Sequence, residues 1–236
     1  MTQKPANLRL RRQVPLSPLS TFHIGGRAEN FVSVESPEDL VGFVLFARQE
    51  RMPYQILAGG SNVVFPDQGL CGLLIRIRGG ELALDGTRCR VDAGVELAQV
   101  IRASLRKGLE GLETLSGIPG SIGGAIVGNA GAYGHSIAEV LEKVEIWDGR
   151  RRRWLTRSDC RFRYRESVFK EKPYLVLRAV LNFRRGNRNE LLRKSREIIR
   201  TRLKKYKPGL RCPGSFFKNV LVSEISRRSF QRIDAS

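Results

Sequence analysis

Two short stretches of this sequence strip side chains from the backbone at close intervals. LAGGSN occupies 57–62, and GIPGSIGGAIVGNAGAYG, at 117–134, holds seven glycines in eighteen residues. Each follows an apolar segment. Successive backbone N–H groups in such turns make concave anion sites. In the first stretch Ala58 leads into Gly59 and Gly60, which let a ligand approach the main chain, while Ser61 and Asn62 add short donors that tolerate left-handed turns. Two turns of this kind meeting on one anion would cradle a diphosphate. In the second stretch Ile118, Ile122, Ala125, Ile126 and Val127 alternate with glycine, a pattern that would line a flat apolar ligand. Either stretch alone reads equally well as a tightly packed, bulge-rich loop with no ligand; the pair together favours a bound dinucleotide. Neither GxxxxGK[ST] nor GxGxxG occurs in the chain. The first absence argues against a P-loop triphosphatase, and the second removes the main support for a Rossmann site.

Charge points toward polyanionic ligands. Lys and Arg number 42 against 23 Asp and Glu, a net +19 in 236 residues. Between Arg184 and Arg211 twelve basic residues face two acidic ones, so that stretch alone carries +10. A second basic run, Arg150 to Arg153, reads as an exposed loop. Such charge suits nucleic acid, acidic membrane surfaces or phosphorylated small molecules. No RNA-recognition signature or regular aromatic interleaving accompanies it, so an obligate nucleic-acid partner is not expected. The four cysteines are scattered without a CxxC pair or neighbouring histidines, which predicts reduced structural thiols and no metal site. The longest apolar runs fall well short of a membrane span and the start lacks a secretory apolar core, so the expected location is the cytoplasm.

The elements that must position the glycine turns follow a mixed α and β pattern. Ser36 as N-cap, Pro37 at the first helical position and Glu38 and Asp39 in the first turn open a helix. Strands at 31–34 and 54–57 bracket it, making a β-α-β unit. Strands at 73–77 and 89–94 follow, then a helix with Leu97, Val100, Ile101 and Leu105 at helical spacing and Gly108 at its end. Beyond the second glycine stretch two more strand segments, EVLEKVEIWDG and YLVLRAVLNFRRG, are separated by the basic loop and by CRFRYRESVFK. A basic helix from about 187 to 209 places Leu192, Ile199 and Leu203 on one face and reads as a linker into a further domain that the chain begins and does not complete. The division expected is 1–78, 79–186 and 187–236.

Five segments carry a resemblance: STFHIGG (20–26), LAGGSN (57–62), GIPGSIGGAIVGNAGAYG (117–134), YRESVFK (164–170) and GSFFKN (214–219). In this order and spacing the chain resembles the UDP-N-acetylenolpyruvoylglucosamine reductases, flavoenzymes of bacterial peptidoglycan synthesis, in their shorter second type. The resemblance implies an α+β chain with an FAD-binding fold of the vanillyl-alcohol oxidase/PCMH type in two subdomains, plus an incomplete C-terminal substrate domain. It also implies a monomer. The cofactor would be FAD, with NADPH as reductant, and the substrate UDP-N-acetylglucosamine enolpyruvate. Hydride would go to C3 of the enolpyruvyl group, the charge developing at C2 would spread into the carboxylate, and C2 would then take a proton. By the same resemblance FAD is held by Ala58, Gly59, Gly60, Ser61 and Asn62, by Gly117, Ile118, Pro119, Gly120, Ser121, Gly123 and Gly124, and by Asn129, Gly131, Ala132 and Tyr133. Arg165 is the cation beside the substrate carboxylate, a task that suits a guanidinium because it stays charged and bonds a carboxylate in a fork. Ser215 is the proton donor. Tyr164, Asn219 and Lys205 or Lys207 are substrate contacts, the lysine toward the diphosphate. The family's catalytic glutamate falls in a segment beyond this chain, Glu224 is not at its position, and His23 stands where the family usually has Arg or Lys.

Overall fold

A computed structural model describes residues 9–207, 209–215 and 219. The chain opens with β1 (Arg11–Pro15) and β2 (Arg27–Val34), then α1 (Pro37–Gln49), β3 (Tyr54–Leu57) and β4 (Leu70–Ile77). These strands form one sheet in the order β1-β2-β4-β3, antiparallel between β1 and β2 and parallel across β2, β4 and β3. The helix between β2 and β3 begins as its sequence dictates. The Ser36 hydroxyl accepts from the Asp39 N–H at 3.1 Å, and Leu40, Phe43, Val44 and Ala47 are buried at helical spacing. Strand β4 is covered on both faces. Leu73, Ile75 and Ile77 join the main core, whereas Leu74 points the other way into a smaller cluster with Val14, Leu16, Ala28, Phe31, Leu57 and Phe65.

The second sheet is wholly antiparallel. Strands β5 (Leu82–Asp85) and β6 (Arg88–Asp92) make a hairpin, followed by α2 (Leu97–Arg106), the two-residue β7 (Leu109–Glu110), α3 (Ile122–Val127) and a small hairpin of β8 (Gly131–Ala132) and β9 (His135–Ser136). Strands β10 (Leu141–Trp147) and β11 (Arg152–Thr156), α4 (Val168–Glu171), β12 (Leu175–Asn182) and β13 (Arg184–Arg185) lead into the last helix, α5 (Arg188–Lys205). The main sheet runs β11-β10-β12-β6-β5, and β13 pairs with β7.

Three expectations change. The Arg150–Arg153 run is not a loop throughout, because Arg152 and Arg153 enter β11 and pair with Trp147 and Ile146. Its arginines are anchored by local partners, Arg152 on Glu38 at 2.7 Å and Arg153 on the Tyr174 hydroxyl at 2.8 Å. The helix α5 does not stand free as a linker: Leu191 and Ser195 are buried against α2 and the 113–115 turn, while Ile199 and Leu203 remain exposed. Its polar composition hides the contact, since a buried serine does not register as an apolar face. Asn187 caps it, accepting from the N–H of Asn189 at 2.9 Å. Strands β1 and β5 were not anticipated either; their half-exposed, Arg- or Asp-containing sequences lack a strong alternation.

One polar cluster ties the second sheet together. Arg178 on β12 reaches Asp92 on β6 at 2.7 Å and Glu145 on β10 at 3.4 Å, and Asp92 also accepts from the Glu81 N–H. The bond from Asp92, outweighing burial, holds the guanidinium pKa above its usual value. With Asp92 only 4 % exposed, removing its partner strands a buried carboxylate. Arg178→Ala is therefore expected to cost about 3–5 kcal/mol of unfolding free energy by urea denaturation at neutral pH. A loss below about 1 kcal/mol would place the cluster with ordinary surface pairs.

Candidate active site

The two glycine turns meet backbone to backbone. A side chain on Gly59 would bring its Cβ within 2.9 Å of the Gly120 Cα, and the Ser61 hydroxyl donates to the Pro119 carbonyl at 3.1 Å. Gly60 has φ +66°, and a Cβ there would run into the carbonyl of Leu19, while Thr21 two residues on donates its N–H to the Gly60 carbonyl. So the first turn is pressed between the STFHIGG segment on one side and residues 119–121 on the other. Among the described residues, no acceptor takes the N–H of Gly59, Gly60, Ser61 or Asn62, nor that of Gly117 or Gly120. Donors left open on two touching turns are what an anion cradle requires.

Other glycines of the long stretch do structural work. Ser121 caps α3 by accepting from the Gly124 N–H at 3.2 Å, and the Gly123 N–H bonds the Ala93 carbonyl at 2.8 Å. Those two amides are engaged within the fold. Gly123 is required for a close approach, since a Cβ there would sit 2.9 Å from that of Ala93. Three of the five apolar residues expected to line a flat ligand turn inward as well: Ile122 and Ile126 are fully buried and Ala125 nearly so, while Ile118 and Val127 stay partly exposed. The reason is the helix. Six residues of IGGAIV coil into α3 and drive their side chains into the core, whereas the sequence alone reads as an open loop.

The end of the stretch meets the arginine segment. Asn129, at φ +40°, donates through Nδ2 to the Arg163 carbonyl at 2.9 Å, and Ser167 donates to the Val127 carbonyl at 2.7 Å. The Oδ1 of Asn129 is buried without a donor among the described residues. Arg165 donates to the Gly131 carbonyl at 3.0 Å and lies over the Tyr164 ring, its own carbonyl accepting from Lys170. Two aromatic residues of these segments, Tyr133 and Tyr164, are 57 % and 55 % exposed, and the Tyr164 ring lies against the Arg165 guanidinium. Large rings left exposed on the two segments make a contact surface rather than a packed interior.

From the opposite side comes the C-terminal segment. Asn62 donates through Nδ2 to the Pro213 carbonyl at 2.9 Å and the Ser215 carbonyl at 3.2 Å, while the Thr21 hydroxyl donates to the Cys212 carbonyl at 2.8 Å. Ser215 is thereby pinned beside the first turn with its side chain exposed. Arg165 and Ser215 are not in contact with each other; each is fixed to a different stretch of the paired turns. Lys205, Lys207 and Asn219 are exposed, and among the described residues no hydrogen bond or ion pair joins them to the turns, Lys205 lying instead over the Tyr206 ring. Phe216 to Lys218 and Glu224 lie outside the described residues. Cys89 and Cys160, both buried, have thiols pushed up by burial to about 11 and about 12, which keeps them protonated and unreactive.

Residues 28–151 match the family model of an FAD binding domain. The UDP-N-acetylenolpyruvoylglucosamine reductase of Solibacter usitatus is 38% identical over 220 residues, 93% of this chain and 70% of that protein. The chain belongs to the UDP-N-acetylenolpyruvoylglucosamine reductase family. The enzyme of the same name from Caldanaerobacter subterraneus is 35% identical over 206 residues, 86% of this chain and 68% of that protein. Among solved structures, the Thermus caldophilus UDP-N-acetylenolpyruvylglucosamine reductase superposes with a TM-score of 0.77 at 30% identity, covering 96% of this chain and 80% of that one. Cholesterol oxidase from Brevibacterium sterolicum gives 0.56 at 13% identity over 78% of this chain and 39% of that one, which shows a shared fold. The reductase-family chain thus has the FAD-binding α+β fold that its motifs imply, and the matched FAD binding domain includes both glycine turns. For this chain, Gly60→Ala meets both a positive φ and the Leu19 carbonyl. It is expected to weaken FAD binding about tenfold and to cost about 1–3 kcal/mol of stability, read by flavin fluorescence titration and thermal melting. Unchanged affinity would remove the turn from the cradle.

Proposed function

We propose that this chain binds FAD across the paired turns and reduces UDP-N-acetylglucosamine enolpyruvate to UDP-N-acetylmuramate for peptidoglycan synthesis, with NADPH as reductant. The observation that carries the reading is the row of open N–H groups on two turns held in contact, with Arg165 fixed against one end of the long stretch and Ser215 against the first turn. This arrangement fits FAD: main-chain donors for a diphosphate, glycines where a ligand must come close, and an orphaned Asn129 Oδ1 available to a donor such as a ring N–H. When bound, FAD supplies the hydride-carrying chemistry that no side chain can provide.

The chain's own residues do the rest. With one N–H on the Gly131 carbonyl, the Arg165 guanidinium has others free to fork onto the substrate carboxylate. That placement stabilises negative charge as it spreads from C2 into the carboxyl group. Ser215 Oγ gives its proton to C2. A serine hydroxyl is a weak acid, so transfer depends on the strong base developing opposite it and on the fixed backbone beneath it. Tyr164 holds the guanidinium from below and presents its exposed face to substrate. Residues 1–78 and 79–186 are assigned as the two halves that close on the cofactor, and 187–236 as the part that brings substrate; the two separate sheets support the first boundary. We assign the chain as a monomer of the cytoplasm; among the described residues no helix is long and apolar enough to cross a membrane.

The test is a visible spectrum of the purified chain with FAD, then with NADPH without oxygen, then with the enolpyruvyl substrate. A shifted flavin band, bleached by NADPH, is expected. A folded chain that leaves the spectrum of added FAD unchanged would overturn the reading.

A further inference from the structure

Helix α5 touches the cradle through positions spaced i, i+4 and i+7. Ser195 and Ser116 share a buried hydrogen bond of 2.8 Å between their hydroxyls, and Lys194 pairs with Glu113 at 3.0 Å, fixing the helix in register. Ile199 and Arg202 follow on the same face. A Cβ on Gly117 would stand 3.0 Å from Arg202 Cδ and 3.7 Å from Ile199 Cγ1, so the arginine stem lies along Gly117, whose N–H is open while those of Ser116 and Ile118 are bonded within the fold. The Nε of Arg202 is buried and has no acceptor among the described residues. A charged donor in that condition is unfavourable unless an anion accepts from it.

The turns themselves supply no compensating charge. Residues 57–62 and 117–134 contain neither lysine nor arginine. Neutral amides orient a diphosphate but leave its two negative charges unbalanced, and a fixed guanidinium is the group best matched to that need. We infer that Arg202 is the cation of the diphosphate site, delivered from α5 onto the Gly117 turn, so that seating of α5 and binding of the cofactor diphosphate reinforce one another. This rests on the FAD reading above and adds a residue outside the matched FAD binding domain. It also gives the basic helix a specific contact in addition to a general field.

The experiment titrates FAD into the wild-type chain and into Arg202→Gln and Arg202→Lys, following flavin fluorescence, with thermal melting of each chain without flavin as the folding control. Arg202→Gln is expected to raise the FAD dissociation constant about tenfold or more with little change in melting. Arg202→Lys keeps the charge but not the fork and is expected to recover most of that loss. If Arg202→Gln melts early, the lysine variant decides: recovery of affinity supports the inference, and failure to recover overturns it. Equal affinities in wild type and Arg202→Gln would overturn the inference while leaving the FAD reading intact. Failure of the wild type to bind FAD would remove the FAD reading itself, and the inference with it. A parallel titration with uridine diphosphate separates the two sources of a diphosphate; a loss confined to that ligand would assign Arg202 to substrate and overturn the cofactor role.

Discussion

Arg165→Ala should leave a chain that still holds FAD and is still bleached by NADPH, yet scarcely reduces the enolpyruvyl substrate. The expectation follows from where the guanidinium is tied. Its partners are the Gly131 carbonyl and the Tyr164 ring, not the open N–H rows of the first turn, so removing it leaves the diphosphate end of the cradle unchanged. The substrate carboxylate, by contrast, would lose the one fixed positive charge placed beside it as C2 becomes electron-rich. Loss of a single preorganised donor of this kind costs about 10²–10³ in turnover, measured by single-turnover recovery of the flavin band. Arg165→Lys should recover only part, because an ammonium lacks the fork and reaches less far over Tyr164. Turnover within a few-fold of wild type in Arg165→Ala would remove the residue from the mechanism.

The positive φ at Arg165, +56°, bears on the same point. A non-glycine residue in the left-handed region is uncommon, and this one is held there by the Lys170 ammonium on its carbonyl and by the Arg163–Glu166 bridge around it. Tyr133 and Asn129, at +54° and +40°, repeat the pattern on the facing loop. With Arg161 at +49°, four such residues on two adjoining segments mark a surface shaped for contact at some conformational cost.

How much of this could be read beforehand divides by the range of the interaction. The α1 cap at Ser36 and Pro37, the apolar spacing of α2 and the β-α-β unit were legible because each is decided within about ten residues by local chemistry. The mutual contact of Gly59 and Gly120 was foreseen as a convergence but not as a geometry, since sixty residues separate them. The α3 helix was missed because glycine lowers helix propensity, and here Ser121 capping and burial of Ile122 and Ile126 override that preference. By composition Arg202 does not stand out from the other eleven basic residues between Arg184 and Arg211. Only the docking of α5 through Ser195 distinguishes it, and a serine–serine contact leaves no periodic trace in a sequence.

Ser215→Ala tests the other half of the chemistry and should separate the two half-reactions. The variant loses only a hydroxyl from an exposed side chain; the bonds that position the residue, donated by Asn62 Nδ2, are accepted by the backbone carbonyls of Pro213 and Ser215 and survive. Bleaching by NADPH should therefore proceed at the wild-type rate, because no proton at C2 is involved. Recovery of the band on adding substrate should slow by about 10²–10⁴, as the carbanion-like centre at C2 would lack its donor. Asn62→Ala makes the complementary case: it keeps the hydroxyl but releases the segment, so recovery should slow less than in Ser215→Ala while the affinity for substrate falls more. Were Ser215→Ala to recover at the wild-type rate, the proton would have to come from water or another side chain. The pinning of residues 213–215 on Asn62 would then have a purely structural purpose.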